Sequence, residues 1–137
     1  MRLAILFVVL GCAAPVFAGP PKVSGRLKAY MGPESEIIAL VPVNDGKQML
    51  VYFKNVGADL DGTTLLYDFE DRGDQGKTVY ITKKQGSKTY RSVLLDGGDG
   101  EWDFFHPKNF KIHYSVVYSE SATEKLKLDD ILKAYKP

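Results

Sequence analysis

From residue 22 to residue 118 the chain breaks into short apolar or alternating runs, each closed by a turn signal within roughly 8 to 14 residues. Strands of that length cannot bury a face alone, so the spacing demands that they pair side by side, as in an antiparallel sandwich or barrel. Residues 22–31 (KVSGRLKAYM) make a weak first strand broken by Gly25. Residues 36–43 (EIIALVPV) and 48–55 (QMLVYFKN) flank Asn44-Asp45-Gly46-Lys47. Asp-Gly between apolar runs is a strong hairpin signal, because both residues must accept positive φ. Pro42 cannot donate a ladder hydrogen bond, which places it at an edge or beside a bulge.

Residues 63–70 (TTLLYDFE) follow the turn at Asp59-Leu60-Asp61-Gly62, with Leu65, Tyr67 and Phe69 opposed to Leu66, Asp68 and Glu70. Residues 77–84 and 88–95 form a second hairpin around Gln85-Gly86-Ser87. A short aromatic run, Trp102 to Phe105, stops at Pro107. In residues 110–118, Phe110, Ile112, Tyr114, Val116 and Tyr118 share one face, and Lys111, His113 and Ser115 take the other. Helical spacing is confined to the C-terminus, where Leu128, Ile131, Leu132 and Tyr135 form a stripe. Asp129 and Asp130 precede Lys133 and Lys136, complementing the helix dipole. Ser121 and Glu124 have capping-box spacing for an earlier start. The expected fold is mainly β, an antiparallel β-sandwich or barrel of about 7–8 short strands with one C-terminal helix.

Ahead of this domain, Met1-Arg2, the apolar run Leu3–Ala14 and the small residues near Ala18 match a secretory signal peptide over residues 1–18. The run is shorter than the roughly 20 apolar residues a membrane span needs. Residues 19–137 then form a single β-rich domain. An alternative cleavage box, Val9-Leu10-Gly11-Cys12, would leave a lipoprotein anchored through Cys12, although Leu10 stands where a small residue is usual. Cleavage after Ala18 discards the one cysteine and with it any thiol chemistry. A domain of roughly 120 residues can be held by core packing alone. Such a cysteine-free exported domain suggests a periplasmic or secreted protein of the bacterial envelope.

The full chain carries 18 basic and 17 acidic residues, and losing Arg2 balances them. With the signs interspersed, nucleic acid and anionic membranes are unexpected partners. No nucleophile elbow, zinc helix, phosphate loop or dinucleotide fingerprint is present, so no cofactor is expected. His113 reads as an exposed strand residue, and His106 as a structural group in Phe104-Phe105-His106-Pro107. Acids gather in turns, above all in Asp96-Gly97-Gly98-Asp99-Gly100-Glu101. This is first a flexible connection. Its alternative is a weak calcium site using Asp96, Asp99 and Glu101. Asp59-x-Asp61-Gly62 copies part of an EF-hand loop, but Gly57 stands at the first ligand position.

Aromatics are the remaining resource. Trp102, Phe104 and Phe105, with His106, are the candidate binding residues. The three aromatics are expected partly exposed at one end of the sheet, the alternative being that both faces are covered, one by the core and the other by the C-terminal helix. The leading functional expectation is a non-enzymatic accessory or inhibitor-type factor binding another envelope or extracellular protein. Its alternative is a carrier of a small apolar ligand in an aromatic-lined barrel cavity. A small hydrolase using acidic loop residues or His106 ranks last. A packed interior would rule out the carrier.

Overall fold

A computed structural model describes residues 21–57, 59–71, 73, 77–81, 90–96, 100–107 and 109–137. Eight antiparallel strands follow one another around a closed barrel: β1 (Lys28–Met31), β2 (Ile37–Val43), β3 (Gln48–Lys54), β4 (Thr64–Asp71), β5 (Lys77–Ile81), β6 (Tyr90–Asp96), β7 (Glu101–His106) and β8 (Asn109–Tyr118). Two helices follow, α1 (Glu120–Lys125) and α2 (Leu128–Ala134). The mainly β antiparallel fold is therefore as expected, with a barrel rather than a sandwich and two helices rather than one.

The β2–β3 hairpin forms where Asp-Gly placed it. Asn44, Asp45 and Gly46 have φ of 54°, 59° and 78°, a left-handed path that these three residue types tolerate. Pro42 is paired with Met49 on one side, but β1 has already ended on the other. There the entering segment passes, with the Ser24 amide donating to the Pro42 carbonyl at 2.9 Å, so the missing proline N–H falls at a local edge. The Cβ of any larger residue at Gly25 would lie 2.7 Å from the Pro42 ring, which explains the glycine that interrupts the first strand. The β5–β6 pairing makes the second hairpin, whose turn at residues 85–87 lies outside the described residues.

Both walls of β2 are covered. Ile38 and Leu40 face the barrel interior, while Ala39, Val41 and Val43 face outward beneath the helices. That is why its sequence is continuously apolar instead of alternating. β1 inverts the usual pattern: Leu27, Ala29 and Met31 pack outward with the helices, and Tyr30 turns inward.

The ring is closed by a short seam, Tyr30 with Tyr118 and Met31 with Val117. Beyond it, the start of α1 replaces the missing strand. The Ser119 amide donates to the Ala29 carbonyl at 2.9 Å, and the Ala29 amide donates to Thr123 Oγ1 at 2.9 Å.

The single expected helix is two because of phase. At 3.6 residues per turn, one straight helix would put Ala122 and Leu126 nearly opposite Leu128, Ile131, Leu132 and Tyr135. An extended Leu126-Lys127 break turns both sets onto the same outer wall. The N-cap is Ser119, whose Oγ accepts the Ala122 amide at 3.2 Å, in place of the expected Ser121. α2 is tied down by Thr64, whose hydroxyl donates to the Ile131 carbonyl at 2.8 Å in a buried bond.

Candidate binding cavity in the barrel mouth

The barrel interior divides into a packed half and an open half. At the end holding the β3–β4 connection, residues 55–57 and 59–63 fold back so that Leu60 is buried against the interior cluster with Val56. The turn is braced by Asp61 Oδ1, which accepts the amides of Val56 at 2.7 Å and Gly57 at 3.2 Å. Above it stands an aromatic layer. Phe104 meets Phe53 at 5.8 Å and Tyr114 at 5.1 Å between ring centroids, and Phe53 meets Tyr67 at 6.4 Å. Burial pushes the Tyr114 phenol above its ordinary range, and the nearby Glu36 and Asp61 carboxylates add to the effect.

The opposite end, beside the β2–β3 hairpin, holds a cavity of about 410 Å³. Leu40, Pro42, Met49 and Phe69 supply apolar walls from β2, β3 and β4, and Tyr30 and Trp102 supply aromatic ones from β1 and β7. Arg26 and Lys28 complete the lining with Gly46. Lys28 belongs to the inward face because it lies two residues from Tyr30 along β1, and Arg26, in the segment that enters β1, lines the same cavity. Among the described residues, no carboxylate lines it.

Trp102 is only 5 % exposed, and its Nε1–H has no hydrogen-bond acceptor. The indole stands edge-on to Tyr30 with ring centroids 6.0 Å apart. Burial raises the Tyr30 phenol's pKa. The Trp102 N–H partly offsets that rise, close enough to favour the phenolate without meeting hydrogen-bond geometry, and Tyr118 adds to it. A buried donor without an acceptor costs about 1–3 kcal/mol, so this indole favours any occupant that offers an acceptor.

The expected binding residues do not make one surface. Trp102, Phe104 and His106 turn inward and are buried, because β7 is paired on both sides and its inner face closes on the barrel core. The expectation that Trp102 and Phe104 are partly exposed is thus corrected. Phe105 lies on the other face and is half-buried, stacked on His113 at 4.3 Å. Of these four, Trp102 alone lines the cavity. His106 lies beyond Phe104, toward the packed end.

For the calcium expectation, Asp99 lies outside the described residues and the Asp96 side chain is likewise not described, leaving Glu101 at the start of β7. Among the described residues no group of three His, Cys, Asp or Glu could hold a metal ion.

On the outer face, Asp103, His113 and Ser115 gather the residue types of a hydrolase. Ser115 Oγ donates to Asp103 Oδ1 at 2.7 Å, and His113 Nε2 lies 3.9 Å from that same oxygen. The serine is thus bonded to the acid rather than to the imidazole that would have to take its proton. Arg26, Lys28 and the mouth were missed by sequence reasoning, which treated these cations only as interspersed charge. Their alternation with Tyr30 was the available signal.

Comparison of the chain with protein-family models, with curated proteins and with solved structures returned no match. Among the described residues no helix is long and apolar enough to cross a membrane.

Proposed function

We propose that the protein is a non-catalytic carrier that takes a small, mainly apolar molecule into the mouth of its barrel. The observation that carries this reading is the asymmetry of the interior: one half is filled by aromatic rings packed at a tilt, and the other is a cavity of about 410 Å³ with apolar walls. That volume falls in the range of about 300–1,000 Å³ usual for small-molecule sites. The protein-partner reading has less behind it. Among the described residues, the large exposed apolar ones on β8 are Ile112, Val117 and Tyr118. Ile112 and Tyr118 are roughly 20 Å apart along the strand, and Val117 faces away from both, so they do not form one patch.

Delivery to the envelope rests on the leader at residues 1–18, which lies outside the described residues. The intact mass of the exported protein tests it: Gly19 as first residue supports export by ordinary cleavage, and a lipid increment on Cys12 contradicts it.

Trp102, the one tryptophan in the chain, reports on the cavity directly. Titration with an uncharged apolar probe such as decanol is expected to change Trp102 emission saturably, with one site per chain. Emission that stays constant while the probe remains unbound in equilibrium dialysis contradicts the carrier reading.

A further inference from the structure

The charge at the mouth narrows the ligand class, on the basis of the carrier reading above. We infer that the cavity takes an amphipathic carboxylate, its apolar body lying between Met49, Leu40 and Phe69 and its head at Arg26 and Lys28. Both cations line the cavity and are exposed at its rim. Among the described residues neither side chain has an ion pair or hydrogen bond, so each is available to a ligand. Among the described residues, the nine that line the cavity hold two fixed positive charges and no negative one.

A purely apolar guest would gain nothing from this rim. An ammonium head would be repelled by it. A carboxylate gains from both cations without being dehydrated, because the head stays at the solvent boundary. The tryptophan adds that the wall below the rim also tolerates a ligand atom that accepts a hydrogen bond. Trp102 is more than nine-tenths buried, lines the same cavity, and its N–H lacks an acceptor. Arginine adds geometry, since its planar fork matches two carboxylate oxygens.

The test compares decanoate, decanol and decylamine, which share one chain and differ only in the head. Equilibrium dialysis at low ionic strength is expected to rank decanoate about five- to tenfold above decanol, the gain usual for two solvent-facing charge contacts. Decylamine is expected to bind more weakly than decanol. The decanoate advantage should shrink as salt is raised, since the rim charges are screened. In the double variant Arg26→Gln, Lys28→Gln the decanoate and decanol affinities should converge. Both positions are exposed, so the variant is expected to fold, which its melting curve checks.

Equal binding of decanoate and decanol by the native chain overturns the inference and leaves the carrier reading standing. So does a decanoate preference that survives in the double variant. Failure of all three to bind removes both readings.

Discussion

A chain ending at Lys127, without α2, is expected to lose its cooperative fold at room temperature. α2 contributes Ile131, fully buried, with Leu128, Leu132 and Tyr135 packed around it on the outer wall. Its removal also opens the outer cluster that it shares with α1 and with Val41 and Leu50, both completely buried, and with Leu66 and Tyr52. At about 1.5–3 kcal/mol per fully buried large side chain, the loss matches the whole net stability of a domain, about 5–15 kcal/mol. The buried Thr64 hydroxyl would also lose its acceptor, the Ile131 carbonyl. Circular dichroism on heating reads the result. The milder Ile131→Ala should keep the fold and cost about 2–4 kcal/mol, lowering the melting temperature by about 10 °C. An unchanged transition in the truncated chain would mean that the outer wall is stable uncovered.

The second large effect separates the two halves of the barrel. Phe104→Ala should cost about 3–5 kcal/mol, since it opens a void in the packed half and removes ring contacts to Phe53 and Tyr114. Trp102→Phe, one pair of residues nearer the mouth on the same face, should cost much less. It keeps an aromatic wall and deletes a buried donor that has no acceptor. Urea midpoints of the two variants measure the contrast. Equal losses would mean that the mouth is packed as tightly as the floor, which is incompatible with a ligand site there.

Much of this architecture is legible in residue order, and the exceptions have physical causes. Asn44-Asp45-Gly46 announces its turn because positive φ is a local requirement. The middle of β8 announces its faces because its outer side is solvated, so His113 and Ser115 alternate with the inward Tyr114 and Val116. β1 misleads for the opposite reason. Its apolar side chains lie under the helices, its inward side carries Lys28 just after Arg26 of the entering segment, and only the closed ring says which side is which. The β7 aromatics mislead because exposure was inferred from one strand, whereas closure buries the inner face whatever the strand's length. The helix break was readable in the phase difference between Ala122–Leu126 and Leu128–Tyr135, but only once both stripes must meet one wall. The cavity itself has no local signature. It exists because described residues from five strands leave space unfilled at one end, and that is a property of volumes rather than of motifs.

The central claim is that the mouth, and not the outer wall or the closed end, holds a ligand. Methyl NMR locates binding without assuming a site. Titrating the chain with decanol should shift the Met49 and Leu40 methyls, which line the cavity, while leaving Leu60 under the closed end and Val117 on the outer surface unchanged. Shifts confined to Val117, or no shifts at Met49 and Leu40 at saturating probe, would contradict it.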